Sequence, residues 1–297
     1  MAHIFVLGGT GMLGHKLTHI LQKNFEVTTT NRGASSSLKR YTGLFNRATV
    51  VSGFDAGDIA RVEQELIARK PDVVINAVGI IKQLEQAKNA RTSIKMNALF
   101  PHELASICQK LGSRLFLIST DCVFDGARGD YCESDLTDAV DLYGRTKALG
   151  EASDTAGIIT LRTSIIGREL FRRTGLLEWF LAQPEGSTLK GYRKAIYTGV
   201  TTIQLAEVIR TLIEAKPLLS GLFQVVSHKI DKFELLCRLR DTFKHPVEIE
   251  PFDQPAIDRS LRGDLFFQKT GIPPFSWDQL MVGLASDDAP YSQWRTE

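Results

Sequence analysis

Apolar and polar positions switch repeatedly between a strand period and a helix period along the first half of the chain. His3–Leu7 is a short apolar run ending in glycines, and Gly11–Lys23 behind it is patterned as a helix. Glu26–Thr30 is β-branched, Thr49–Ser52 forms another short strand, and Ile59–Arg69 returns to helical spacing. Pro71 introduces Asp72–Asn76, a continuous Val/Ile run of the kind that a parallel sheet buries on both faces. Arg91–Leu111 reads as a helix, Arg114–Ile118 as a fifth strand, Asp141–Ala152 as a helix and Ile158–Leu161 as a sixth strand. Strand–helix alternation over about 160 residues predicts an α/β fold with a doubly wound parallel sheet.

After Arg162 the rhythm changes. Leu176–Ala182, Thr201–Glu214, Leu222–Val226 and Phe233–Phe243 are shorter elements, punctuated by Pro217, Pro246, Pro251, Pro255, Pro273 and Pro274. This half predicts a smaller α+β lobe built onto the sheet. Residues 1–163 are expected to be the nucleotide-binding domain and 164–297 mainly a substrate lobe, with the segment around 196–215 free to return to the first domain. Gly33–Arg47 reads as a basic surface loop.

A chain of 297 residues has ample length for such a pair of domains, and 43% apolar with 24% charged residues excludes wholesale disorder. The formal net charge of +2 gives no reason to expect nucleic acid as a partner. No apolar run approaches the ~18 residues of a membrane span. The N-terminus lacks a basic leader and runs straight into glycines, so it reads as a strand. Cys108, Cys122, Cys132 and Cys237 show no CxxC spacing and suit the reducing cytoplasm.

Gly8-Gly9-Thr10-Gly11-Met12-Leu13-Gly14 follows the first strand and opens the first helix. Strand, glycine loop and helix in that order form a dinucleotide site of Rossmann type. The glycines permit a tight turn and close backbone approach, and the helix N-terminus faces the pyrophosphate. At the end of the second strand, an acidic residue would bind ribose hydroxyls, whereas arginine accommodates a 2′-phosphate. Here stand Asn31 and Arg32, with Lys39 and Arg40 nearby, so NADPH is favoured and NADH is the alternative. Asp55, after the third strand, could accept from the adenine amino group, while Asp58 equally suits a helix N-cap.

Tyr143-Gly144-Arg145-Thr146-Lys147 places a phenol and an ammonium one helical turn apart. The cation is expected to lower the tyrosine pKa towards a range useful for proton transfer. Ser119-Thr120-Asp121 stands at the carboxyl end of the fifth strand, where open α/β sheets bind ligands. Glycine loop, strand end and tyrosine–lysine pair occur in the order that a hydride-transfer site requires.

With these pieces the chain resembles the extended short-chain dehydrogenase/reductases, and within them the dTDP-4-dehydrorhamnose reductase-like family of sugar-nucleotide reductases. The likeness covers essentially the whole chain. It rests on Gly8–Gly14, Asn76-Ala77-Val78-Gly79, Met96-Asn97-Ala98, Ser119–Gly126, Tyr143–Glu151 and Leu161-Arg162-Thr163-Ser164. Asp258-Arg259-Ser260-Leu261 is similar to a family stretch but lacks its proline. The resemblance implies that Tyr143 is the general acid, Lys147 its partner and ribose anchor, and Thr120 a donor to the substrate carbonyl. It adds Ala77, Val78, Gly79 and Asn97 to the cofactor side, and Asp121 and Cys122 to the substrate side. It further implies reduction of the 4-keto group of a nucleoside-diphosphate 6-deoxyhexulose, for deoxysugar and surface-polysaccharide biosynthesis, by a soluble enzyme with a homodimer as the open assembly question.

Related dehydratases carry Thr-Asp-Glu where this chain has Thr120-Asp121-Cys122, and a thiol replaces the carboxylic acid poorly, which disfavours dehydration. Arg168, Arg172, Arg173, Trp179 and Arg259 are candidates for the nucleotide and its diphosphate. A core tryptophan beside a solvated basic flank is the competing reading of the first four. His15 and His19 lie one turn apart without a third ligand, so no metal is expected. Two other readings stay open: a non-catalytic NADP-binding subunit resembling the regulatory β subunit of methionine adenosyltransferase, and a nucleotide-sugar epimerase.

Overall fold

The computed structural model describes residues 1–41, 43–171, 173–215 and 219–295. In the first half β1 (His3–Leu7), α1 (Met12–Leu21), β2 (Glu26–Asn31), β3 (Ala48–Ser52), α2 (Ile59–Arg69) and β4 (Val73–Asn76) lead to α3 (Ala90–Ser93), α4 (Phe100–Leu111), β5 (Arg114–Thr120), α5 (Leu142–Leu149) and β6 (Ile158–Thr163). The second half adds β7 (Ile165–Ile166), α6 (Leu176–Leu181), β8 (Thr188–Tyr192), β9 (Ala195–Tyr197), β10 (Val200–Thr201), α7 (Thr202–Glu214) and β11 (Gly221–Gln224). It closes with β12 (Ile230–Asp231), α8 (Lys232–Phe243), β13 (Glu248–Phe252), β14 (Ile257–Asp258), α9 (Asp264–Thr270) and α10 (Trp277–Ala285).

The main sheet has seven strands in the order β11-β6-β5-β4-β1-β2-β3, all parallel. The doubly wound fold is therefore of the Rossmann type. Successive residues of β1 serve opposite faces, as the pleat demands. Ile4 and Val6 join Leu13, Leu17 and Ile20 of α1 with Leu205 and Ile209 of α7. Phe5 and Leu7 join Val62, Leu66, Leu104 and Cys108 on the other side. The winding reverses between β1 and β4, which opens a crevice at their carboxyl ends.

Three features depart from the pattern-based expectation. The edge beyond β6 is not open, because β11 from the second half pairs with it, Phe223 opposite Leu161 and Gln224 opposite Arg162. α7 and β11 thus belong to the sheet layer, since β6, buried along its whole length, would otherwise present an unpaired apolar edge. The helix expected over Arg91–Leu111 contains a π-helical turn at Ile94–Leu99. Pro101, which has no N–H, follows this turn at the start of α4. The stretch 33–47 is not only a surface loop: Tyr41 and Leu44 are buried in a cluster with Leu170, Tyr291 and Trp294.

The second half also builds its own core from Leu177, Phe180, Leu189, Tyr197, Ile230, Leu235, Leu236, Trp277 and Leu280. Its three-stranded sheet, β12-β9-β14, lies against the carboxyl end of β5. Asp258 donates its amide to the Gly126 carbonyl at 2.7 Å there.

Candidate active site

The glycine loop is held from below by β2. The Gly8 amide donates to the Thr30 hydroxyl at 2.9 Å and the Gly9 amide to the Thr30 carbonyl at 2.9 Å. Gly8 has φ +83°, and a side chain there would also press within 2.9 Å of Val78 Cγ2, so only glycine fits. A side chain at Gly14 would collide with the Gly8 carbonyl, so the loop sits directly on the start of α1. Gly11 is the N-cap of α1, with no side-chain cap and no acidic residue in the first turn. Thr10, Gly11, Met12 and Leu13 therefore form an open, anion-accepting helix end beside Ala77, Val78 and Gly79. The Asn76 carboxamide oxygen accepts the Val78 amide at 3.0 Å and shapes that second wall.

At the far end of the crevice Asn31 is buried and spends its amide on Gly33 and Ala34, accepting the Gly33 N–H in return. It builds the turn, and Arg32 points to solvent beyond it. Ser36, Ser37, Lys39, Arg40 and Phe171 line a cavity of about 560 Å³ next to this turn. Asp55 is exposed and accepts the Gly57 amide at 3.0 Å, while Asp58 caps α2 through the Arg61 amide.

The π turn aims Asn97 inward. Its carboxamide accepts the Ile80 amide at 2.8 Å and donates to the Ile80 carbonyl at 2.9 Å, pinning the segment after β4. α5 approaches the end of β5 because Gly144 has no side chain to strike the Cys122 carbonyl. Asp141 caps α5, accepting the Gly144 amide at 2.8 Å. This closeness brings the Tyr143 phenol to the end of β5, where Thr120, Asp121 and Cys122 all bear on its protonation. The Thr120 hydroxyl donates to Asp121 Oδ1 at 3.0 Å and accepts the Cys122 amide at 3.2 Å. Lys147 Nζ donates to the Ile118 carbonyl at 2.7 Å.

One electrostatic expectation is overturned. The Tyr143 pKa lies above its ordinary value, not below it. Burial penalises the phenolate most, and Cys122, Asp121 and Asp141 add to that, while Lys147 is occupied with the backbone. The phenol is thus kept protonated, which is the form a proton donor needs. Burial lowers the Lys147 ammonium to about 8, and Glu151 counters that loss. Glu151 in turn takes both Arg162 Nε and Nη2 at 2.7 Å and the Ser119 hydroxyl at 2.6 Å. Burial pushes the Cys122 thiol up to about 12, a poor nucleophile that lines the site.

The basic candidates of the second half divide. Arg168 pairs with the fully buried Glu178 at 2.8 Å and lies over the Tyr291 ring, 4.5 Å from its centroid, so it braces the lobe. Trp179 is 39% exposed on the same helix, enough to offer a stacking face. Arg173 is exposed, and Arg172 lies outside the described residues. Arg259 donates to the Phe124 carbonyl at 3.0 Å and the Asp125 carbonyl at 3.3 Å, joining β14 to the end of β5. His15 bonds the Gly11 carbonyl and the Tyr291 hydroxyl, both at 2.8 Å, so it supports the glycine loop from behind.

Two residues that the sequence reading passed over complete the site. Lys232, at the first position of α8, stands 3.5 Å from the centroid of the Tyr197 ring and is electrostatically coupled to Asp121 and Cys122. The only local signal was a lysine at a helix start, where the dipole disfavours a cation.

A parallel sheet with its switch point at a glycine loop, and a threonine–tyrosine–lysine cluster on its carboxyl edge, defines an extended short-chain dehydrogenase/reductase. Within that class the chain belongs to the RmlD substrate binding domain family, which it matches over residues 1–259. It is 26% identical to methionine adenosyltransferase 2 subunit beta of Bos taurus over 272 residues, 86% of this chain and 76% of the relative. It is 30% identical to a dTDP-4-dehydrorhamnose reductase of Streptomyces griseus over 148 residues, 49% of this chain and 42% of that one. Among solved structures, a hypothetical dTDP-4-dehydrorhamnose reductase from Sulfolobus tokodaii superposes with a TM-score of 0.75 at 26% identity, covering 93% of this chain and 97% of that one. A dTDP-4-dehydrorhamnose reductase from Bacillus anthracis in complex with NADP shares the fold, with a TM-score of 0.76 at 18% identity over 96% of this chain and 99% of that one. No helix among the described residues is long and apolar enough to cross a membrane.

Proposed function

We propose that this chain is an NADPH-dependent reductase of the 4-keto group of a nucleoside-diphosphate 6-deoxyhexulose. The observation that carries the reading is the Tyr143 phenol, kept protonated by burial on the helix that packs against the end of β5, one helical turn from Lys147. The cofactor reading suits the crevice: the uncapped start of α1 takes the pyrophosphate, and Gly8 and Gly14 let the loop pack directly on that helix end and on the Ala77–Val78 wall. Arg32, Lys39 and Arg40 supply charge for a 2′-phosphate, and Lys147 and Asn97 border the ribose end.

When bound, the reduced nicotinamide supplies the hydride that the carbonyl carbon accepts. Tyr143 gives its proton to the carbonyl oxygen, so that the ketone becomes a secondary alcohol. Thr120 borders that oxygen with its proton held by Asp121, and Lys147, which burial brings to about 8, exchanges protons near neutrality. Cys122 lacks the acidity that elimination of water would require.

A second reading is favoured by the long match to the methionine adenosyltransferase subunits: an NADP-binding partner protein without turnover. NADPH oxidation measured against dTDP-, UDP- and GDP-linked 4-keto-6-deoxysugars separates the two. A reductase consumes NADPH stoichiometrically with at least one of them. Binding of NADPH without any consumption favours the partner protein, and interconversion of C4 epimers without net oxidation favours an epimerase.

A further inference from the structure

One half-buried cation has no part in the mechanism so far. Lys232 stands at the first position of α8, capped by Asp231, whose side chain accepts the Glu234 amide at 2.7 Å. A positive charge at that end opposes the helix dipole, a local cost that natural sequences accept at functional positions. Antiparallel pairing of β12 with β9 sets Ile230 opposite Tyr197 and so lays the following Lys232 over the Tyr197 ring at 3.5 Å. Its ammonium makes no hydrogen bond or ion pair among the described residues. The Tyr197 hydroxyl below it is buried and also lacks a hydrogen-bond partner there. Leaving that buried hydroxyl unpaired is costly unless something else fills the place.

β14 ties β9 to the segment that follows β5: Asp258 pairs with Ile196 beside Tyr197 and donates to Gly126, and Arg259 donates to Phe124. Asp121 is the nearby charge that opposes the loss of the Lys232 proton, and Lys232 with Arg259 offsets the burial of Asp121. The single Thr120 proton is directed at Asp121, so a second donor for a substrate oxygen has to come from the lobe. Vicinal oxygens on a sugar ring lie about one hydrogen-bond length apart, ~2.8 Å. A carbonyl oxygen at Thr120 and Tyr143 therefore puts its neighbouring substituent in front of Asp121 and Lys232.

We propose that Lys232 is a specificity residue that touches the substrate: its ammonium donates to the oxygen on the ring carbon beside the reacting carbonyl, while Asp121 accepts that hydroxyl's proton. The preferred substrate is then an α-hydroxy ketone. The inference rests on the reductase reading, and it deepens that reading by assigning the group next to the reacting carbon.

The test compares the whole protein with its Lys232→Met variant, which keeps the stem over Tyr197 and removes the charge. Both are assayed with NADPH on a nucleotide-linked 4-keto-6-deoxyhexulose and on its 3-deoxy analogue. On the hydroxylated ketone, kcat/KM of the variant is expected to fall roughly tenfold to a hundredfold. On the 3-deoxy ketone the two proteins should agree within about threefold, with unchanged NADPH affinity and melting temperature. Lys232→Gln takes its place if the methionine variant melts early. Equal rates on the hydroxylated ketone, or equal losses on both ketones, overturn the assignment while leaving the reductase intact. If the unaltered protein oxidises no NADPH with either ketone, the reductase reading itself fails and Lys232 loses its substrate.

Discussion

Tyr143 shows how far a residue's chemistry depends on its neighbours. The tyrosine–lysine spacing alone suggests a phenol eased towards ionisation, yet burial, with the neighbouring Cys122, Asp121 and Asp141, holds it protonated. Tyr143→Phe removes only the transferable proton. Turnover should fall ~100-fold or more while the NADPH dissociation constant, followed by nucleotide fluorescence, barely moves. Intact turnover would send the search for a proton donor elsewhere. Arg32 is the complementary case, exposed and positioned only by the turn that Asn31 builds. If it meets a 2′-phosphate, NADPH should bind more tightly than NADH, and Arg32→Ala should shrink the difference by roughly tenfold or more. Equal affinities in the unaltered protein would remove the argument for NADPH. Both residues were legible as candidates from spacing and motif order. Asn31 and Arg168 were legible only as polar residues in the right neighbourhood, because the turn and ion pair that engage them depend on side-chain geometry.

At the scale of elements, the segment after α10 matters more than its polar composition suggests. Asp287 pairs with Lys16 at 2.8 Å, both nearly inaccessible, and Tyr291 bonds His15 in the next position of α1. Trp294 packs edge-on against Tyr41 at 5.3 Å, so the same segment supports the loop that carries Lys39 and Arg40. Truncation after Ser286 leaves Lys16 buried without its counter-charge. It should cost about 3–5 kcal/mol in urea unfolding. On the proposed reading it should also weaken NADPH binding, because the loop that carries Lys39 and Arg40 loses its floor. A truncated protein as stable as the full chain would show that these contacts are replaceable. Nothing in the local pattern signals this clamp, since its ion pair joins residues 271 positions apart. The π turn at Ile94–Leu99 was equally hidden: helical periodicity is the same on both sides of it, and only the inward Asn97 shows what the extra residue does.

The whole molecule adds a dependence on pH. His15 is fully buried, and that burial lowers its pKa from 6.5 to about 3, with the neighbouring Lys16 adding to the effect and the Gly11 carbonyl opposing it. The unfolded chain takes up a proton near pH 6.5, whereas the folded chain refuses it until about pH 3. The stability this ring contributes is thus complete above 6.5 and drains away as the pH falls through that window, by up to about 1.4 kcal/mol per pH unit. Urea unfolding at pH 7.5, 5.5 and 4.5 should show the decline, and His15→Gln should flatten it. Parallel slopes for the two proteins would mean that other groups govern acid unfolding.

The amino-acid order alone determined the parallel sheet, the glycine loop at its switch point and the sequence of threonine, tyrosine and lysine along the carboxyl edge. Those features are written in short-range periods and spacings, which a chain carries whether folded or not. Only the tertiary structure decided that β11 closes the sheet, that Asp287 and Tyr291 brace α1, that Arg168 belongs to Glu178, and that Lys232 lies over Tyr197. Burial and electrostatic environment are sums over neighbours brought together from distant positions. The protonation of Tyr143 and the depressed pKa of His15 and Lys147 exist only once those neighbours are in place.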